Sequence, residues 1–111
     1  MAEMNEDIDS GIVELGGHIE LSGFNEVEGG SMIILKKIIG NYVRNISDRN
    51  TGFENLKIHM KKIHETEGSK KFEVHVKLLV DSNVHSSEHV DRNIFTAVDK
   101  ALRKAEAGLL K

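Results

Sequence analysis

Cysteine and tryptophan are absent from this 111-residue chain, and tyrosine occurs once. Without cysteine there can be no disulfide, Cys-ligated zinc, iron–sulfur cluster or thiol nucleophile. No apolar run approaches the ~20 residues that a membrane-spanning helix needs. The opening MAEMNEDIDS is acidic where a signal peptide would be basic. These absences predict a soluble, cytoplasmic protein with no membrane partner. Phosphate-cradling loops are missing too: GGSMIILKK puts Gly29 and Gly30 before a helix but lacks the GxxxxGK[ST] spacing. Ser86 and Ser87 lie near His85 and His89, yet neighbouring letters in a strand do not make a catalytic triad. No enzyme activity and no cofactor are expected.

Charge of one sign is missing from a whole segment. Residues 1–29 carry eight acids and no Lys or Arg, so all fifteen basic residues fall in 30–111, against ten acids. The net charge of −3 therefore hides a part carrying +5. Such asymmetry points to an anionic partner for the basic part; the alternative is an ordinary solvated Lys/Glu surface. Apolar residues make up 39% of the chain and charged residues 30%, a globular composition with one domain's worth of length. Residues 1–10 have no apolar period and are read as an acidic mobile tail, with a single domain over 11–111.

Along that domain, IVEL and HIELSG are two short β-prone pieces around Gly16-Gly17, which can turn a hairpin; 18–23 is the better strand. Ser31 fits an N-cap. Leu35, Ile38, Ile39, Tyr42 and Ile46 then recur at helical spacing until DRNTG, with Gly40 marking close packing or a bend. Leu56, Ile58 and Met60 alternate with Lys57, His59 and Lys61, as in a half-buried strand. Phe72, Val74, Val76, Leu78 and Val80 do the same in the clearest strand of the chain, and DSN is a tight turn. VHSSEHV reads as a polar edge strand. Asp91 caps a last helix whose stripe is Ile94, Val98, Ala101, Leu102, Ala105 and Leu109. The expected fold is α+β: a two-layer β-α-β-β-β-α domain with a four-stranded mixed sheet, helices near 31–47 and 92–108 on one face, and the other face open.

That order, the hairpin LKIHMKKIHETEGSKKFEVHVKLLV and the ending SSEHVDRNIFTAVDKALRKAEAGLL resemble the ribosome hibernation-promoting factor family, the ribosome-associated translation inhibitors. In the ending, Asp91, Ala97, Asp99, Leu102 and Lys104 fall where members show an acid, then an Ala–aliphatic–Asp helix with a following Leu and basic residue. The resemblance covers roughly residues 54–110. It implies the fold above and a non-catalytic stress-response protein that binds the small ribosomal subunit and inhibits translation.

For structured RNA, the cations at hand are Lys57 and Lys77 on the open sheet face and Arg103, Lys104, Lys100, Lys36 and Lys37 on the helices. Phe24, Phe53, Phe72, Phe95 and Tyr42 sit on core faces, so backbone or duplex-shape recognition fits better than base stacking. A second reading is a small homo-oligomer of other function that buries its open face against itself. In that hairpin, Glu65 facing Lys70 requires a bulge near Lys61-Lys62, and His59 then faces His75. If Val80 faces Val84 across DSN, His75 faces His89 and Leu79 faces His85. A row His59–His75–His89 would then cross the open face, with spacing for a metal ion.

Overall fold

The computed structural model describes residues 12–15, 18–25, 27–49, 51–64 and 70–110. The acidic segment 1–10, the Gly16-Gly17 turn and the loop 65–69 lie outside the described residues. Strands β1 (Ile12–Leu15) and β2 (Ile19–Ser22) precede helix α1 (Gly29–Arg49). Strands β3 (Phe53–His64), β4 (Lys70–Val80) and β5 (Asn83–Asp91) lead to helix α2 (Ile94–Ala107) and a 3₁₀ turn at Gly108–Leu110. The expected β-α-β-β-β-α order is present as β2-α1-β3-β4-β5-α2. The sheet is mixed: β2 pairs parallel to β3, and β3, β4 and β5 form an antiparallel meander. The short β1 pairs antiparallel with β2 and adds a fifth strand at that edge, in the order β1-β2-β3-β4-β5.

Strict alternation gives the sheet its two faces. Leu21, Leu56, Ile58, Met60, Val74, Val76, Leu78 and Val80 are buried in one cluster with Leu35, Ile39 and Ile46 of α1 and Ala97, Val98, Ala101, Leu102 and Ala105 of α2. Both helices therefore cover the same face. Alanines at 97, 101 and 105, one turn apart, present little bulk toward the sheet and let the helix lie close on β4 and β5. Among the described residues no polar or charged residue is buried. Phe24 is buried, while Phe53, Phe72, Phe95 and Tyr42 pack half-buried against the core, as their spacing predicts.

Several local expectations are corrected. Helix α1 begins at Gly29, two residues before Ser31, and the Met32 amide donates to the Glu28 carbonyl. Gly40 marks no close packing, because a Cβ there would meet nothing within 4 Å. The cap of α2 is Asn93, whose side chain accepts from the Thr96 amide. Asp91 acts one step earlier: its carboxylate accepts from the Asn93 amide, and chiefly for that reason its pKa is lowered. The bulge expected near Lys61-Lys62 is absent; pairing runs unbroken to His64 opposite Lys70, and the irregularity lies between Phe53 and Asn55. At the end of β2, Gly23 has φ +81°, and a Cβ on it would lie 2.1 Å from the Met60 carbonyl oxygen, so only glycine lets the chain turn off against β3.

The turn between β4 and β5 decides the rest. It has two residues, Asp81 and Ser82, with φ of 53° and 64°. Two consecutive positive φ values are the signature of a type I′ hairpin. Val80 consequently faces Asn83, not Val84. A slip of one residue sends every side chain of β5 to the opposite face. His89 thus lies opposite Val74 on the helix-covered face, Glu88 takes its place opposite His75, and Leu79 faces Val84 instead of His85.

Candidate functional site

The face of the sheet that the helices leave uncovered is organised in cross-strand rungs. Glu20, Lys57, Lys77 and Ser86 form one rung; Ser22, His59, His75 and Glu88 form the next. Lys61, Glu73 and Val90 follow on one side, and Asn55, Leu79 and Val84 on the other. The first two rungs line a shallow depression of about 210 Å³, walled by Glu20, Ser22, Lys57, His59, His75 and Lys77. The expected pair His59–His75 is observed, with Lys57 opposite Lys77 and Lys61 opposite Glu73 on the same strands.

Lys57 and Lys77 are both exposed and stand directly opposite each other. Like charges directly across a sheet destabilise it, and among the described residues no carboxylate lies within ion-pair distance of either. The rung beside them is fully engaged. Ser22 Oγ and His59 Nδ1 are 2.9 Å apart. His75 Nε2 lies 2.5 Å from Glu73 Oε2, and its Nδ1 lies 3.3 Å from Glu88 Oε1. Ser22 and His59 touch without any carboxylate on the far nitrogen of His59 among the described residues, so the orienting third member of a nucleophilic triad is missing there. The histidine row is broken by the register: His59 and His75 share the open face, and His89 sits behind it, 3.7 Å from Asp91.

The cations on the helices are differently placed. Arg103 Nε donates to Asp99 at 2.9 Å, and that hydrogen bond is the main reason its pKa is raised further. Lys104 Nζ donates to the Glu88 carbonyl at 3.0 Å and so ties α2 to β5. Lys36, Lys37 and Lys100 are exposed on the outer surfaces of α1 and α2. Tyr42 donates to the same Asp99 at 3.0 Å; burial first, then that carboxylate, pushes its pKa up to about 12. Ser86 and Ser87 point to opposite faces, the latter donating to the Ala101 carbonyl of α2. No helix among the described residues is long and apolar enough to cross a membrane.

Sequence reasoning missed Glu88 as a partner of His75. The signal was present in the two-residue turn, since it alone sets which β5 residue faces His75. In comparison with known proteins, no family profile matches the chain and no curated protein is significantly similar to it.

Proposed function

We propose that the protein is a non-catalytic binding domain of the ribosome-hibernation type. It occupies structured RNA of the small ribosomal subunit in the cytoplasm, inhibiting translation under stress by occupancy alone. The observation that carries this reading is the Lys57–Lys77 pair: two exposed ammonium groups on adjacent strands at the rim of an open depression, sharing a rung with Glu20 but with no carboxylate within ion-pair distance among the described residues. An RNA phosphate between them would relieve their repulsion and complete their pairing. The +5 charge of residues 30–111 and the β-α-β-β-β-α order support the same reading. Arg103 and Lys104 are less suited to first contact because both already hold partners within the fold.

A second reading, a homo-oligomer joined through the open face, has its own observation: Val84 is 61% and Val90 44% exposed on the β5 side of that face. One experiment separates the two. RNA affinity is titrated against salt for the wild type, Lys57→Ala/Lys77→Ala and Arg103→Ala/Lys104→Ala, with sedimentation of each protein alone. Each neutralised phosphate contributes roughly one unit to the salt slope, so the sheet-face double variant should lose about two and the helix variant little. Equal slopes in all three proteins would refute the proposal, and a concentration-dependent dimer lost on charging Val84 would install the second reading.

A further inference from the structure

The geometry points to a divalent transition-metal site, of the kind zinc occupies, made by Glu73, His75 and Glu88. Glu73 precedes His75 by two residues on β4 and shares its face; Glu88 stands directly opposite His75 on β5. One donor atom from each of the three lies within 4.8 Å of the other two. In a tetrahedral zinc site with bonds of about 2.0–2.2 Å, neighbouring donors stand roughly 3.3–3.5 Å apart. His75 Nδ1 and Glu88 Oε1 are already 3.3 Å apart, so the imidazole and one carboxylate are at coordination spacing before any ion arrives. Closing the set asks the Glu73 carboxylate, which lies 2.5 Å from Nε2 at the other edge of the ring, to leave that nitrogen and meet the ion on the Nδ1 side beside Glu88.

The donor set defines the class of ion. One imidazole with two carboxylates suits zinc and its first-row neighbours, whereas calcium and magnesium favour all-oxygen shells. The two carboxylates together carry −2, which a dication cancels. The cations nearest on the same face, Lys61 opposite Glu73 and Lys77 two residues beyond His75, make no ion pair with either carboxylate among the described residues. The three ligands come from two long, mutually paired strands, so their backbone positions are fixed by the sheet and not by a loop. A fourth position would open toward solvent, as three-ligand zinc sites leave it. This site is distinct from the row His59–His75–His89, which the register of β5 separates.

The test uses the full chain and zinc alone, with no RNA, so it stands apart from the reading above. Calorimetric titration with zinc chloride in a non-chelating buffer should give one ion per chain, and cobalt(II) in its place should develop the intense visible bands of a four-coordinate ion. Glu88→Gln and His75→Gln should each weaken zinc binding at least tenfold. His89→Gln, on the other face, should leave it unchanged. Zinc should raise the melting temperature of the wild type but not of Glu88→Gln, whose exposed side chain makes it the variant safest for folding. No binding, more than one equivalent site, binding indifferent to Glu88→Gln and His75→Gln, or binding lost in His89→Gln would each overturn the proposal.

Discussion

Tyr42 joins the two helices through one oxygen. Its hydroxyl donates to Asp99, which also accepts from Arg103, so a single carboxylate holds a phenol from α1 and a guanidinium from its own helix. Burial and that carboxylate both disfavour the phenolate and push the pKa up to about 12. An unfolded tyrosine ionises near pH 10. The stability contributed by neutral Tyr42 is therefore complete below about pH 10 and is lost as pH rises toward 12. Because the chain has one tyrosine and no tryptophan, phenolate absorbance reports this group alone. An alkaline titration should show its ionisation delayed until the native protein opens, and Tyr42→Phe should cost about 1 kcal/mol at neutral pH. Ionisation near pH 10 in the folded protein would contradict the helix contact.

The same scale explains the one misplaced ligand. Hydrophobic pattern alone sends Val84 after Val80 into the core and so aligns His89 with the open face. The structure overrides that pattern: Asp81 and Ser82 both take positive φ, and Val84 is left exposed while His85, Ser87 and His89 face α2. Ser87 recovers its polar group by donating to Ala101. In a polar edge strand with two valines, turn geometry outweighs apolar burial, and neither outcome is written in the strand's own letters. Glu73 and His75 were legible as same-face neighbours; Glu88 was not, because its face depends on that turn.

At the scale of elements, the strands and helices follow from period alone. Leu56, Ile58 and Met60, then Val74, Val76, Leu78 and Val80, alternate without interruption, and all are buried. Helix boundaries were less legible, because both Ser31 and Asp91 are good cap residues, yet Ser31 lies inside α1 and Asp91 lies two residues before the cap Asn93. Gly40 yields a prediction here. Helix α1 runs through it from Gly29 to Arg49, and an added methyl would meet open space. Gly40→Ala should therefore stabilise the protein by about 0.5–1 kcal/mol, through lower entropy of the unfolded chain. Denaturant melts of the two proteins would measure it, and a loss of stability would mean that the helix surface is covered by something not yet seen.

At the scale of the whole molecule, the two layers were legible because the apolar stripes of both helices need the same face of the same strands. What covers the opposite face was not legible, since Lys57, Lys77, His59 and His75 read equally well as solvated strand residues until their registers are known. Among the described residues, the structure sorts the cations into those with internal partners, such as Arg103 and Lys104, and those without an ion pair, such as Lys57 and Lys77. Sequence composition treats these alike. Charge counted along a chain measures how much there is to offer an anion; charge mapped on a fold measures how much remains uncommitted.

The parallel pairing of β2 with β3 has a kinetic side. The strands β3, β4 and β5 run 12, 11 and 9 residues and follow one another closely in the chain, so each can meet its partner over a short sequence separation. Strand β2 has four residues and reaches β3 only after the chain has passed through all of α1. Closing that longer loop costs entropy that four rungs must repay. The meander with α2 should therefore assemble first, and the β1–β2 margin should dock last and open first. Native-state amide exchange would read this directly: amides at 19–22 should exchange at a lower opening free energy than those at 74–80. One common value for both segments would mean that the sheet unfolds only as a unit.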